Sequence, residues 1–202
     1  MKWGVLILAA GEASRMGKAK MLLPYKETTI LTHLIDEVLS GEPTSVQLVT
    51  GHYDDLIRAE VKTNKVAIVL NPHYQLGMSS SIQVGLTALL NECPDLDFLI
   101  IVVSDQPFLN RTILQNLIIK HQQTQKGIIA SHYNGVQGTP VLLSSAYFNH
   151  LYKLTGDKGA RVILQQFPDD IETIAFESGE LDIDTMEDYE RFYKKLKDNH
   201  VD

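Results

Sequence analysis

The sequence predicts an α/β protein in which an open, mostly parallel sheet is doubly wound with helices on both faces. Short apolar runs alternate along the chain with segments of helical periodicity, the pattern of consecutive strand–helix–strand units. Residues 2–9 form an almost uninterrupted apolar run, as expected for a strand buried on both faces. The 202 residues contain no internal repeat and no long polar linker, so we expect residues 1–202 to form a single domain.

The remaining strands are predicted from short apolar runs that end at turn residues, and the helices from apolar residues spaced three and four positions apart. In the first helix, for example, Ile30, Leu34 and Val38 share one face, and Gly41 ends the pattern. The predicted strands are 2–9, 46–50, 66–70, 97–103, 127–131, 141–143 and 171–176. The predicted helices are 29–39, 53–61, 79–91, 112–123, 145–151, 158–166 and 186–197.

The topology predicts where a ligand would bind. In doubly wound sheets, ligands bind at the carboxyl ends of the strands, beside the point where the strand order reverses. We expect the first strand, 2–9, to lie next to the fourth, 97–103, at this point. The loop that follows residue 9 and the residues that follow 103 would then face one cleft.

Composition limits the classes of protein that fit the chain. Lys and Arg number 18 against 25 Asp and Glu, and the net charge of −7 argues against general nucleic-acid binding but not against a small anionic substrate. The single cysteine, Cys93, excludes a disulfide or a cysteine-based metal site within one chain. No apolar run approaches the length of a membrane span, and we expect a cytoplasmic protein without membrane or nucleic-acid partners.

The loop after the first strand has the residues of a phosphate-binding loop. Gly11 and Gly17 allow close backbone approach, and Arg15, Lys18 and Lys20 add three cations within six positions. The spacing of the glycines is one residue too long for a P-loop, and the dinucleotide motif would need a third glycine. From the residue types alone, a flexible connection with solvated charges explains the loop equally well.

Carboxylates at two places suit a divalent cation. Asp105 follows the predicted strand 97–103, and its hard oxygen atoms are suited to Mg²⁺. Asp182 and Asp184 alternate with apolar residues before the last helix, so they point to one side, and either is a candidate second ligand. Structural explanations stay open for both places, since Asp105 precedes Pro107 as turn residues do, and Asp184 or Thr185 is a good N-cap.

A series of short motifs occurs in a recognisable order along the chain. They are Leu8-Ala9-Ala10-Gly11, Ser14-Arg15-Met16-Gly17, Lys20 with Leu22-Leu23-Pro24, Asn71-Pro72, 77–81, Gly85-Leu86, Asp105-Gln106-Pro107, Gly138-Thr139-Pro140, 156–161 and 182–185. Each motif is weak or moderate alone, but the ordered set covers nearly the whole chain. With these motifs the sequence resembles the MobA-like NTP transferases, most closely their molybdenum-cofactor cytidylyltransferase branch.

The resemblance implies a fold and an activity. The fold would be a three-layer α/β/α arrangement of the nucleotide-diphospho-sugar transferase type. The activity would be the transfer of CMP from CTP to the terminal phosphate of molybdopterin, with release of pyrophosphate and with Mg²⁺ as cofactor. The implied partners are CTP or another NTP, a molybdopterin-type phosphorylated acceptor and a client molybdoenzyme. The Ala-Ala-Gly form of the opening loop resembles the CTP-using branch and favours CMP over GMP.

The resemblance also implies roles for individual residues. Lys20 and Arg15 would neutralise phosphate charge during the reaction, and Asp105 would hold Mg²⁺ with Asp184 as the second ligand. Ser81 would be the main residue that faces the base. The loop and base-facing residues together are Ala9, Ala10, Gly11, Gly17, Ser80 and Ser81.

The acceptor end of the site rests on less specific features. Lys158 and Arg161 lie at the start of the predicted helix 158–166, where anions are favoured, although a solvated helix start explains them equally well. Thr139 stands where family members often carry histidine, which bears on the identity of the acceptor. GMP transfer, a sugar-phosphate nucleotidyltransferase and a non-catalytic cofactor-binding assembly factor for a molybdoenzyme therefore remain alternatives.

Overall fold

A seven-stranded, mostly parallel sheet forms the middle layer of the protein, in a computed structural model that describes residues 1–12, 18–180 and 185–198. Its strand order is β5-β4-β1-β6-β8-β7-β9, and β2 and β3 form a separate small hairpin. The strands are β1 (Trp3–Ala9), β2 (Pro24–Tyr25), β3 (Thr28–Thr29), β4 (Ser45–Thr50), β5 (Ala67–Leu70), β6 (Phe98–Val103), β7 (Ile128–Tyr133), β8 (Val136–Ser144) and β9 (Ile171–Ala175).

The α-helices follow the predicted alternation with the strands. They are α1 (Ile30–Ser40), α2 (Asp54–Glu60), α3 (Met78–Glu92), α4 (Arg111–Thr124), α5 (Phe148–Leu151), α6 (Arg161–Gln166) and α7 (Met186–Asp198). Side-chain caps precede α1, α4 and α7, because Thr29 accepts a hydrogen bond from the backbone of Thr32, Asn110 accepts one from Ile113 and Thr185 accepts one from Asp188. Within the described ranges, no helix has both the length and the apolar character required to cross a membrane.

Two apolar cores lie on opposite faces of the sheet, which confirms the predicted three-layer arrangement. Alternate residues of β1 point to different cores, with Val5 and Ile7 on one face and Leu6 and Leu8 on the other. The first core is completed by α1 and α4, and the second by α3, α5 and α6. All seven residues of β1 are buried, as its almost uninterrupted apolar sequence predicts.

The order of strands reverses between β1 and β6, as predicted. These strands pair in parallel in the register that joins Trp3 to Phe98 and Leu8 to Val103. Because parallel strands end at the same edge, the loop after Ala9 and the residues after Val103 emerge side by side. The backbone continues the contact beyond the strands, since Ser104 donates its N–H to the carbonyl oxygen of Leu8 over 3.1 Å.

The β7–β8 hairpin differs from the sequence prediction. The predicted strand 141–143 is only the buried part of the nine-residue β8, which is antiparallel to both neighbours. Its exposed beginning pairs with β7 across a two-residue turn in which Asn134 and Gly135 have φ angles of 46° and 75°. An Asn-Gly pair is the strongest short signal for such a turn, and it was the clue in the sequence.

The helix predicted at 158–166 is shorter and begins at Arg161. The preceding residues form a loop instead, because Gly156 adopts a positive φ of 67° and its carbonyl oxygen accepts a hydrogen bond from Ser79. The predicted helix 145–151 is likewise divided, into a 3₁₀ turn over Ser145–Tyr147 and the short α5. Lys158 therefore precedes α6 and does not lie in its first turn.

The packing of α3 on the sheet leads to a stability prediction. A Cβ atom added at Gly85 would lie 2.1 Å from a methyl carbon of Leu6 and 2.5 Å from one of Val49. We expect Gly85→Ala to lower the free energy of unfolding by about 1–3 kcal/mol, because the added methyl overpacks the core. Urea denaturation measures this loss, and Thr87→Ala on the exposed face of the same helix is the control. Equal stability of the two variants would contradict the close packing.

Candidate active site

A cleft of about 870 Å³ opens at the carboxyl edge of the sheet, where β1 and β6 end. One wall consists of the ends of these strands and the segment around Lys20. The opposite wall consists of residues 74–78, the first turn of α3 and residues 156–157. The cleft brings together several of the residues predicted for the site, namely Ala9, Ala10, Gly11, Lys20, Ser81 and Asp105.

Lys20 and Asp105 meet on the first wall of this cleft. Lys20 Nζ lies 2.8 Å from Asp105 Oδ2, although the residues are separated by 85 positions in the sequence. Their side chains are 17% and 27% exposed, so the ion pair is partly shielded from water yet open to a ligand. Lys20 begins a 3₁₀ turn whose next residue, Met21, is buried and anchors the turn in the core beside β1. The sequence predicted each residue for the site, and the structure makes them partners.

The first loop of the cleft is held from beneath by the residues that follow β4. The carbonyl oxygen of Ala10 accepts a hydrogen bond from the backbone of His52 over 3.3 Å. A Cβ atom at Gly51 would lie 2.4 Å from this oxygen, so the close approach requires glycine. Gly11, in contrast, lines the cleft, and no heavy atom of the described residues lies within 4 Å of the position of an added Cβ.

The opposite wall depends on a close backbone contact between α3 and the loop before α6. Gly77 has a φ of 95°, and a Cβ atom there would lie 2.5 Å from the backbone of Gly156. Ser79 strengthens the contact, since its N–H and its hydroxyl both donate to the carbonyl oxygen of Gly156, over 3.2 and 2.7 Å. The short loop 156–157 thereby becomes part of the cleft.

The predicted base-facing serines differ in their surroundings. Ser81 is 4% exposed and lines the cleft. Ser80 is half-buried, and its hydroxyl lies within hydrogen-bonding distance of the carbonyl oxygens of His73 and Gly77. Both hydroxyls accept hydrogen bonds from Asn71, a fully buried residue that the sequence analysis recognised only as part of a family motif.

Gln106 joins the Asp105 segment to two other parts of the chain. Its side-chain Nε2 donates to the carbonyl oxygens of Thr139 and Gly179, over 3.0 and 3.2 Å. Thr139, where family members often carry histidine, is therefore held beside the residue that follows Asp105. Among the described residues, Gln106 Oε1 is a buried acceptor without a donor. The sequence predicted no role for Gln106. Its position directly after the candidate metal ligand Asp105 was the signal that could have indicated one.

An aromatic cluster of Tyr25, Phe108 and Phe192 links the segments that carry the ion pair. Phe192 of α7 lies 5.6 Å from Tyr25 and 5.1 Å from Phe108, measured between ring centroids. In the same helix, the hydroxyl of Tyr189 donates to the carbonyl oxygen of Pro24 over 2.8 Å. Burial raises the pKa of Tyr189 above its ordinary value, which keeps the hydroxyl a neutral donor.

Other predicted residues lie elsewhere. Lys158 is exposed and lines a second cavity, of about 300 Å³, together with Lys153 and His150. Arg161 is exposed and is not among the residues that line either cavity. Arg15 and Gly17 of the predicted phosphate loop, and the candidate ligands Asp182 and Asp184, lie outside the described residues.

The residues around Asp105 fit a Mg²⁺ ion that is shared with a substrate. Over 1–12, 18–180 and 185–198, no three His, Cys, Asp or Glu side chains are grouped closely enough to hold a metal ion. Mg²⁺, however, is commonly held by one or two carboxylates together with substrate phosphates. The partly exposed carboxylate of Asp105 at the strand end meets that requirement.

A cleft at the switch point of a doubly wound sheet, with a Lys–Asp pair in it, is where α/β proteins of this architecture bind their ligands. The chain belongs to the MobA-like NTP transferase domain family, whose pattern matches residues 5–171. This confirms the family that the sequence motifs indicate, and the protein is accordingly a nucleotidyltransferase by class.

Individual relatives agree with this family. The chain is 28% identical to a nicotine blue oxidoreductase of Paenarthrobacter nicotinovorans, covering 90% of this chain and 92% of the relative. It is also 28% identical to the molybdenum cofactor cytidylyltransferase of Escherichia coli K12, covering 91% and 92%. Among solved structures, Rv0371c of Mycobacterium tuberculosis H37Rv matches with a TM-score of 0.82 at 26% identity, covering 96% and 98%. A second structure of Rv0371c is a complex with manganese, with a TM-score of 0.76 at 26% identity and coverage of 96% and 99%.

Substitution of Gly11 can test its role in ligand binding without disturbing the fold. We expect Gly11→Ala to leave the melting temperature unchanged, because no atom of residues 1–12, 18–180 or 185–198 lies within 4 Å of the added methyl. The same methyl would occupy ligand space, so NTP affinity should fall by about tenfold, the equivalent of one lost hydrogen bond to a charged group. Calorimetric titration with CTP measures the affinity.

Gly77→Ala is the matched comparison for this experiment. Its methyl would collide with the backbone of residues 156–157, so both the melting temperature and the NTP affinity should fall. Unchanged NTP affinity in Gly11→Ala would remove the Gly11 backbone from the binding surface.

Proposed function

We propose that the protein transfers CMP from CTP to the terminal phosphate of a molybdopterin-type cofactor and releases pyrophosphate. The observation that carries the proposal is the Lys20–Asp105 pair at the carboxyl edge of β1 and β6, within a cleft large enough for a nucleotide. A cation and a metal-binding carboxylate side by side are the groups that phosphoryl-type transfer requires.

The proposed reaction needs no general base. The acceptor is a phosphate monoester, which is mostly ionised at neutral pH because its second pKa is about 6. Its oxygen attacks the α-phosphorus of CTP, the bond from that phosphorus to the bridging oxygen breaks, and pyrophosphate leaves. Positioning and charge neutralisation therefore supply the catalysis, and the ammonium of Lys20 is suited to neutralising charge on the α-phosphate. We assign Arg15 and the glycine loop to the leaving pyrophosphate.

Asp105 would hold Mg²⁺, with Asp184 as the proposed second ligand. When bound, the ion would neutralise phosphate charge and orient the triphosphate. The manganese complex of Rv0371c supports a divalent cation at this fold, since that protein is 26% identical to this chain over most of its length. Lys20 contacts Oδ2 of the carboxylate, and a carboxylate has lone pairs on both oxygens, so the group can also bind a metal ion.

CTP is the preferred nucleotide for two reasons. The relative from Escherichia coli is a cytidylyltransferase that matches over most of both chains. The buried hydroxyl of Ser81 also faces the cleft at a position suited to a hydrogen bond with a base. Lys158 and Arg161 remain proposed contacts for the acceptor, on the far side of the 156–157 loop.

Similarity to the nicotine blue oxidoreductase supports a second candidate function, a redox reaction. The nucleotidyl-transfer proposal takes precedence because the loop lacks the three glycines of the dinucleotide motif and because the cleft pairs Lys20 with Asp105. A pyrophosphate assay distinguishes the two candidate functions, since only nucleotidyl transfer releases pyrophosphate.

The decisive experiment measures pyrophosphate release with Mg²⁺ and molybdenum cofactor, comparing CTP, GTP and ATP. Release with CTP alone supports the proposal in full, and release with GTP keeps the reaction but replaces the base. Release with a sugar phosphate as the only active acceptor would identify a sugar-phosphate nucleotidyltransferase. Nucleotide binding without any release would leave a non-catalytic cofactor-binding protein.

Substitution of the ion pair tests the mechanism. We expect Asp105→Asn and Lys20→Ala each to lower kcat by about a hundredfold or more, because each removes charge that offsets the reacting phosphates. Circular dichroism should show an intact fold, since the pair is partly exposed. Single-turnover pyrophosphate release provides the rate.

A matched control lies at the opposite edge of the same strands. Lys2 and Asp95 form an ion pair of 2.5 Å before β1 and β6, with side chains 55% and 64% exposed. Asp95→Asn and Lys2→Ala should leave kcat unchanged. Near-normal turnover in Asp105→Asn would exclude Asp105 as a metal ligand.

A further inference from the structure

Asn71 lies behind the cleft and contacts both predicted base-facing serines. Its side chain is fully buried, and Nδ2 lies 2.8 Å from Ser80 Oγ and 3.0 Å from Ser81 Oγ. Its Oδ1 accepts a hydrogen bond from the backbone N–H of His73 over 2.9 Å. All of the polar atoms of this side chain are therefore engaged within one small network.

The direction of each hydrogen bond in this network follows from chemistry. A backbone N–H can only donate, so the atom of Asn71 that faces His73 must be the carbonyl oxygen. The NH₂ group consequently faces the serines, and each serine oxygen accepts from it. Ser80 directs its own hydrogen to a carbonyl oxygen, that of Gly77 at 2.8 Å or that of His73 at 3.1 Å.

Ser81 differs from Ser80 because it lines the cleft. Since its oxygen accepts the Asn71 hydrogen, its own hydroxyl hydrogen is available to donate to a ligand in the cleft. An accepting side chain at position 71 would reverse this polarity, because the hydroxyl of Ser81 would then donate to it. Asn71 thus determines what Ser81 can recognise.

We infer that Asn71 is a positioning residue for base recognition, which fixes Ser81 as a hydrogen-bond donor to an acceptor atom of the nucleobase. The inference rests on the proposed function and specifies the atom type that the site reads. Cytosine offers O2 and N3 as adjacent acceptors, which suits a fixed donor. In guanine the corresponding N1 and N2 positions are donors, so a fixed donor could pair on that edge with O6 alone.

The side chain of Asn71 is not needed to hold the end of β5 in the sheet. The backbone N–H of Asn71 already donates to the carbonyl oxygen of Thr50 over 2.9 Å, continuing the β4–β5 ladder. Substitution of the side chain should therefore act on Ser81 more than on the strand.

The test is a double-mutant cycle read by calorimetric binding of CTP with Mg²⁺ and without acceptor. Asn71→Ala and Ser81→Ala should each weaken CTP binding by about fivefold to tenfold, the value of one hydrogen bond. The double variant should bind no more weakly than Ser81→Ala alone, because Asn71 acts through Ser81. An undiminished effect of Asn71→Ala in the Ser81→Ala background would overturn the inference, as would unchanged affinity in Asn71→Ala.

Two further variants guard against a simple loss of stability. Asn71→Asp keeps the acceptor for His73 but replaces the NH₂ group by oxygen, so it should weaken CTP binding at least as much as Ser81→Ala. This effect should disappear in the Ser81→Ala background, and its persistence there would count against the inference. Gln47→Ala removes another buried amide, which donates to Glu92 over 2.8 Å far from the cleft. It should lower the melting temperature but leave CTP affinity unchanged.

The outcomes separate this inference from the proposed function. Tight binding of CTP together with an additive cycle would reject the role of Asn71 and keep the proposed activity. Failure of the wild-type protein to bind CTP, GTP or ATP would overturn both.

Discussion

The parallel pairing of β1 with β6 is the constraint on which the candidate site depends. Its register places the end of one strand beside the end of the other, so that residues far apart in sequence share one edge. The Lys20–Asp105 contact builds on this pairing, because Asp105 follows the buried β6 closely and Lys20 begins the turn that the buried Met21 anchors in the core beside β1. The cost of exposing these apolar strands, rather than the strength of the ion pair, holds the groups in place.

The opposite wall of the cleft, formed by residues 74–78, the first turn of α3 and residues 156–157, is stabilised by different interactions. It depends on backbone atoms that approach closely where side chains are missing, at Gly77 against Gly156 and at Gly51 against Ala10. Hydrogen bonds from Ser79 and Asn71 then fix the first turn of α3. One wall is thus rigid through burial and the other through close contact and hydrogen bonding. A ligand in the cleft would touch both.

Much of the fold could be predicted from the sequence, because buried strands and helices require apolar residues at regular spacings. The continuous apolar runs of β1 and β6 identified the central strands, and the placement of Asp105 after a strand identified a candidate ligand. The wrong predictions fell where the local sequence pattern is compatible with more than one structure. The loop before α6 has helix-compatible residues but uses Gly156 to contact α3, and no local signal reveals a partner about 80 positions away.

The contacts within the site were less predictable than the site residues themselves. That Lys20 would meet Asp105, or that Gln106 would reach Thr139 and Gly179, depends on three-dimensional proximity alone. In the sequence, Asn71 appeared only as part of the Asn71-Pro72 motif. Its role in the network requires knowing which atoms surround it.

The aromatic cluster has a consequence for how this protein can diverge. Tyr25, Phe108 and Phe192 come from three separated parts of the chain but pack together in one small core. A smaller ring at one position leaves a void that only a larger neighbour can fill. Substitutions at these three positions should therefore be correlated across homologues, and the closing helix α7 should covary with the strand-end loops more than its distance along the chain suggests.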